Sequence, residues 1–146
     1  MKLEKKEIIK LLPHRPPMLL IDEIYDIKNY SGTALVSVKK NSFFVQGHFP
    51  EQPIMPGVLI IEAFGQAAAA ITAHSLDKSN YENKLVFLIG VEKAKFRSPV
   101  IPDCNLILKI ESMRSHGKVW KYEGEAFVNE KKMAEAVWSA TIVDKK

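Results

Sequence analysis

Gly57-Val58-Leu59-Ile60-Ile61-Glu62-Ala63-Phe64-Gly65-Gln66-Ala67-Ala68-Ala69-Ala70-Ile71-Thr72-Ala73 is the stretch on which the fold turns. It is apolar on nearly every side of a 3.6-residue period, which predicts a helix over 57–73 buried on all faces. Pro56, just ahead of it, suits the first turn, where a missing N–H costs nothing. The stretch is about as long as the shortest bilayer-spanning helices. Glu62, Gly65 and Gln66 lie inside it, however, and a charge at membrane depth is expensive. The expectation is a core helix and no membrane association.

Upstream stands Gly47-His48-Phe49-Pro50-Glu51-Gln52-Pro53-Ile54-Met55-Pro56, whose three prolines hold the backbone nearly rigid. Further back, Thr33 to Val38 alternates apolar and polar residues as a half-buried strand does. Met18 to Ile27 reads as an extended apolar segment, and Leu12-Pro13-His14-Arg15-Pro16-Pro17 as a stiff turn. Leu3 to Leu12 is expected to form a short amphipathic helix stopped by Pro13. Downstream, His74 to Lys84 is polar and loop-like. Strands are then expected at Leu85–Val91, around Ala94 and Phe96, and around Leu106, Leu108 and Ile110. Two more, Val119–Val128 and Met133–Val143, are joined by a hairpin at Asn129-Glu130-Lys131-Lys132. One buried helix followed by antiparallel strands that must wrap it is an α+β domain. The sheet is expected to have roughly five or six strands.

The chain has 146 residues, which at roughly 150 per domain is a single domain spanning 1–146. Its charge of +4 is mild, and its cations are mixed among acidic residues. No helix-turn-helix, zinc finger or aromatic-basic pattern is present, so nucleic acid is not an expected partner. One cysteine, Cys104, excludes an intramolecular disulfide framework and fits a reducing, cytoplasmic setting. The charged start of the chain shows no secretory pattern.

His48 and Glu62 are the candidates for acid–base chemistry. His48 sits in the proline-stiffened loop, and a rigid backbone is what a catalytic base needs for its ring to stay in register. The plain alternative is a structural loop histidine. Glu62 is the one charged residue of the apolar stretch, and glutamate is rarely buried unless paired. Burial is expected to raise its pKa toward that of a usable general acid. The alternative is a glutamate satisfied at a subunit seam. Gln66, four residues on, shares its helix face and can hydrogen-bond it. Gly57 opens the helix, where an orphan N–H and the helix dipole favour an oxyanion. Base, acid and amide together suit proton abstraction next to a carbonyl. No metal site is expected, since the histidines show no ligand spacing, and no cofactor motif is present.

Leu12-Pro13-His14-Arg15-Pro16-Pro17-Met18-Leu19-Leu20-Ile21-Asp22, the run from Gly47 to Ala63, and Phe96-Arg97-Ser98-Pro99-Val100 together resemble the FabZ-type (3R)-hydroxyacyl-[acyl-carrier-protein] dehydratases. The resemblance runs through nearly the whole chain in order. It implies the hot-dog fold, an antiparallel sheet wrapped around a long central helix. It also implies dehydration of (3R)-hydroxyacyl thioesters to trans-2-enoyl products in type II fatty acid biosynthesis, without a cofactor. His48 and Glu62 match the family's catalytic pair, Gly57 the amide that binds the thioester carbonyl, and Gln66 a supporting position. In the family the pair meets across a dimer interface. The chain departs from the family at Pro102-Asp103-Cys104, where Pro-Gly-Asp is usual.

A lone hot-dog layer leaves one sheet face and the Glu62 side of the helix uncovered, so at least a homodimer is expected. The resemblance extends this to a hexamer, a trimer of dimers. A hot-dog acyl thioesterase and a non-catalytic acyl-binding module are the alternatives from other classes. The related dehydratase–isomerases typically carry Asp where Glu62 stands, which argues against isomerase activity. Acyl carrier protein is acidic, and Lys93, Lys95 and Arg97 fall on one face of a strand by period 2, making them the expected docking patch. The plain alternative is a solvated edge strand protected by its lysines.

Overall fold

The computed structural model describes residues 1–76 and 84–144. The chain runs β1 (Lys2–Glu4), α1 (Lys5–Ile8), β2 (Glu23–Lys28), β3 (Ser31–Val38), α2 (Gly57–Ser75), β4 (Lys84–Phe96), β5 (Cys104–His116), β6 (Val119–Val128) and β7 (Lys131–Asp144). Among the described residues seven strands form one antiparallel sheet in the order β1-β2-β3-β5-β6-β7-β4. The sheet curls around α2, whose Ile60, Ala63, Phe64, Ala67, Ala70 and Ile71 are buried with Val36, Leu106, Leu108, Tyr122 and Trp138. This is the hot-dog architecture, and α2 is its core helix. By length and composition α2 could cross a bilayer, yet 67% of its most apolar window is buried inside the protein.

Two hairpins turn on residues in the left-handed region. Lys28 pairs with Ser31 across Asn29 (φ 51°) and Tyr30 (φ 62°). Val128 pairs with Lys131 across Asn129 (φ 49°) and Glu130 (φ 68°). Positive φ at both central residues is the twist that matches right-handed strands. The second turn is therefore two residues long, and Lys131 and Lys132, expected in the loop, belong to β7 instead. Inside the sheet, Gly124 makes room for a stack of Phe64 on Trp138, whose centroids lie 5.1 Å apart. A Cβ at Gly124 would stand 2.8 Å from Trp138 and 2.9 Å from Phe64. Tyr122 extends the stack and shares a hydrogen bond with the buried Thr72.

Several expectations are corrected. The helix expected from Leu3 to Leu12 is a strand followed by a single helical turn, because Leu3 pairs with Ile24 at the sheet edge. Glu4 and Glu7 then cap that turn reciprocally, with Glu4 N donating to Glu7 Oε1 at 2.8 Å. The sheet has seven strands, not five or six. The runs expected as separate strands around Val91 and Ala94 are one strand, β4, kept in register with β7 by irregularities between Leu88 and Gly90 and between Val91 and Lys93. The helix reaches Ser75, and most of the polar segment expected after it lies outside the described residues. Nor is α2 buried all round. Val58, Glu62 and Gly65, at i, i+4 and i+7, make a face that the chain does not fully cover.

Candidate active site

The loop between β3 and α2 holds His48 by a ladder of short bonds. Val45 N donates to Ser42 O, His48 N to Val45 O at 3.1 Å, and Ile54 N to His48 O at 2.8 Å. Met55 N donates to Val100 O at 2.9 Å, which fastens the loop's end to the segment after β4. The His48 ring stacks on Phe49, and its Nδ1 lies 3.1 Å from Ile54 O. A carbonyl accepts only, so Nδ1 carries the hydrogen, and in the neutral ring Nε2 then keeps its lone pair. That tautomer is the one a general base requires.

Pro56 caps α2 with φ −59°, and the first helical bonds run from Leu59 and Ile60 to Pro56 O. The Gly57 amide precedes them and has no acceptor within the helix. The Phe96 ring lies directly over Gly57, where a Cβ would come within 3.0 Å of Cε1. The small residue therefore serves the packing of this ring as well as access to the amide.

One turn further on, Glu62 accepts a hydrogen bond at 2.8 Å from Gln66 Nε2, as the four-residue spacing predicts. Gln66 is itself pinned, because its Oε1 accepts from Leu20 N at 2.9 Å and its Nε2 also donates to Met18 O at 2.8 Å. It is 1% exposed, with its amide fully satisfied. Sequence reasoning passed over a third group. His14 Nε2 stands 3.4 Å from Glu62 Oε2. The available signal was the proline-rich turn of His14 itself, 12–17, which is as stiff as the 47–56 loop that drew attention to His48. Arg15 fixes that turn, its Nη1 donating to Leu12 O at 2.8 Å and His14 O at 2.7 Å. Asp22 closes the segment by accepting from Ser37 N at 2.7 Å and Lys5 Nζ at 3.0 Å.

The expected upward shift of Glu62 is corrected. Burial is the largest single effect and pushes its carboxyl up, but the His14 ring, the Gln66 amide and the charge of His14 together outweigh it. The net pKa lies below the ordinary glutamate value. Within one chain, His48 and Glu62 share no hydrogen bond or ion pair; the contacts of the first run to Val45, Ile54 and Phe49 and those of the second to His14 and Gln66.

Lys93 and Lys95 lie on the outer face of the sheet, alongside Glu123, Glu125 and Glu135. Arg97 follows the end of β4, and its Nη2 is 2.7 Å from Glu135 Oε1. The face is thus mixed in sign. One row across β5, β6, β7 and β4 reads Lys109, Glu125, Glu135, Lys95. At the departure from the family pattern, Asp103 accepts from Lys40 N at 2.9 Å and so ties the start of the His48 loop to β5. Burial and the neighbouring Asp103 push the Cys104 thiol up, away from nucleophilic character. Among the described residues no group of three His, Cys, Asp or Glu side chains is placed to hold a metal ion.

A family model described as the FabA-like domain matches residues 12–137. The 3-hydroxyacyl-[acyl-carrier-protein] dehydratase FabZ of Anaeromyxobacter dehalogenans (strain 2CP-1 / ATCC BAA-258) is 43% identical over 149 residues, spanning 97% of this chain and 96% of that protein. The protein of the same name from Myxococcus xanthus (strain DK1622) is 46% identical over 140 residues, spanning 95% and 91%. Among solved structures, the dehydratase heterocomplex ApeI:P from Xenorhabdus doucetiae superposes with a TM-score of 0.82 at 17% identity, spanning 94% of this chain and 91% of that one. That likeness carries the fold, and the sequence matches carry the rest: the chain belongs to the FabA-like domain family and, within it, to the FabZ-type 3-hydroxyacyl-[acyl-carrier-protein] dehydratases.

Proposed function

We propose that the chain removes water from (3R)-hydroxyacyl-[acyl-carrier-protein], giving the trans-2-enoyl thioester, in type II fatty acid biosynthesis. The observation that carries this reading is the His48 ring, whose Nδ1 is committed to Ile54 O and whose Nε2 is therefore a base. Nε2 takes the proton α to the thioester. The Gly57 amide, at the positive end of the α2 dipole, stabilises the enolate-like oxygen. Glu62 gives a proton to the departing 3-hydroxyl, and the proton gained by His48 returns to Glu62 through solvent before the next turnover. No cofactor enters this scheme. Glu62 rests low in the free chain, so the acid role depends on closing the site. Substrate and a second chain strip water from the carboxyl, strengthening the burial effect that already pushes it up.

That second chain is a copy of this one. β4 is the last strand of the sheet and carries Phe87, Leu88, Ile89 and Val91, each between 42% and 54% exposed. A long apolar edge of this kind invites pairing. A homodimer through it covers these residues, and in the family such pairing joins the catalytic pair across the interface. Assembly as a trimer of dimers follows from the same resemblance. Acyl carrier protein docks beside Phe96, at the end of β4 that reaches Gly57. Arg97 is engaged by Glu135, so Lys93 and Lys95 are the main cations offered to it.

Incubation with a (3R)-hydroxyacyl carrier protein, followed by mass detection, tests the function. Loss of one water supports it. Release of carrier thiol, read with a thiol-reactive dye, would instead identify a thioesterase, and an unchanged substrate would leave a binding module.

A further inference from the structure

Both groups that reach Glu62 converge on the same oxygen. Gln66 Nε2 donates to Oε2 at 2.8 Å, and His14 Nε2 lies 3.4 Å from that same Oε2. Oε1 has no hydrogen-bond partner among the described residues. Gln66 has no alternative use for this hydrogen, since Leu20 N and Met18 O fix the orientation of its amide.

His14 is held as firmly from the other side. Arg15 clasps the carbonyls of Leu12 and His14, and Pro13, Pro16 and Pro17 stiffen the turn. Its side chain is 19% exposed, and its Nδ1 is buried without a hydrogen-bond partner. A histidine kept only for packing is a poor choice here, because an apolar ring would avoid the cost of an unpaired buried nitrogen. Among the described residues, the one polar contact the ring makes is the one to Glu62. At 3.4 Å this is a long, weak contact, and contacts of this kind tighten when a site closes on its substrate.

We propose that His14 is a positioning residue that, with Gln66, fastens Oε2 of Glu62 and so turns Oε1 toward the substrate's 3-hydroxyl. This rests on the reading of Glu62 as the group that serves the departing hydroxyl. With Oε2 engaged by two donors, Oε1 is the oxygen that carries and delivers the proton. The segment Leu12–Asp22 then has a purpose beyond covering the helix. It is a brace that sets the direction of one carboxylate oxygen, and the prolines and Arg15 are what make it stiff.

Three substitutions test this. A glutamine amide nitrogen reaches about as far as the Nε2 of histidine, and an asparagine amide only about as far as Nδ1. His14→Leu and His14→Asn are expected to lower kcat on a hydroxyacyl carrier protein by about 10- to 100-fold with KM little changed, the usual effect of a small loss of alignment. His14→Gln should recover most of kcat. In a Glu62→Gln background, His14→Leu should cost nothing more, because a residue acting through Glu62 has nothing left to position. Thermal midpoints of all variants check the fold, and should His14→Leu not fold, the comparison of Asn with Gln stands alone. Equal rates in the Asn and Gln variants, an unchanged kcat in His14→Leu, or full additivity with Glu62→Gln each overturns the proposal. Wild-type protein that removes no water sinks the functional reading and this one together, whereas active wild type with an indifferent His14→Leu sinks only this one.

Discussion

Replacing Gln66 by leucine keeps the size of a buried side chain while removing three hydrogen bonds at once. The amide links Leu20 N, Met18 O and Glu62 Oε2, and it is 1% exposed. Leucine leaves the Leu20 N–H and the Met18 carbonyl without this partner; Leu20 is 4% exposed, so water does not readily replace the acceptor lost there, whereas Met18 is 40% exposed and its carbonyl can turn to solvent. Each orphaned buried group costs about 1–3 kcal/mol. With a smaller loss at the Met18 carbonyl added, and both set against roughly 1 kcal/mol gained by burying apolar atoms in place of an amide, the net destabilisation is about 1–3 kcal/mol. At about 2–4 °C per kcal/mol for a chain of this size, the melting midpoint should fall by roughly 2–12 °C. The same substitution withdraws a donor from ionised Glu62, so that carboxyl should titrate at higher pH. Both are measurable on one sample set: thermal unfolding at fixed protein concentration, and the Glu62 carboxyl carbon followed by 13C NMR across pH. A midpoint within about a degree of wild type, or a Glu62 titration that stays put or moves down, would refute the placement of Gln66 as the link between the Leu12–Asp22 segment and the site.

His48→Ala and Glu62→Gln should each lower the dehydration rate by about 10²–10⁴-fold while leaving the melting midpoint nearly unchanged, and near-full activity in either contradicts the role assigned to it. Glu135 provides an acid-sensitive contact. Arg97 first, then Lys132, lowers its pKa from 4.5 to about 2, so its contribution to stability is complete above the ordinary value and is lost as pH falls toward about 2. Glu135→Gln should therefore flatten the fall in urea midpoint across that window, and a slope identical to wild type would show the cluster to be energetically silent. Lys93→Glu with Lys95→Glu should raise KM for carrier-protein substrates, more so at low salt, and spare small thioester analogues; equal effects on both substrate types would place docking elsewhere.

The elements that pattern alone made legible are those whose burial repeats with a local period. The 57–73 stretch appears as α2 because a continuous apolar run of that length has no stable place except inside a sheet, and β6 has the bounds that its alternation predicts. The Glu62–Gln66 bond was legible too, since four residues on a helix are always neighbours. Leu3–Leu12 misled because a short apolar run fits either period, and only pairing with Ile24 decides for a strand. The site residues divide in the same way. His48 and Glu62 stood out as odd residues in stiff or apolar surroundings, and what the local pattern misjudged was the direction of the Glu62 shift. Whether Glu62 is raised or lowered depends on His14, 48 positions away and invisible to any local rule, and on whether its donors outweigh its burial. Arg97 looked like a free cation until the β4–β7 register set it beside Glu135. Periodicity is written in neighbouring residues and survives any route the chain takes. Contacts between distant residues exist only once the loops have closed, and one of them, His14 on Glu62, helps to decide which way that carboxyl's proton affinity moves.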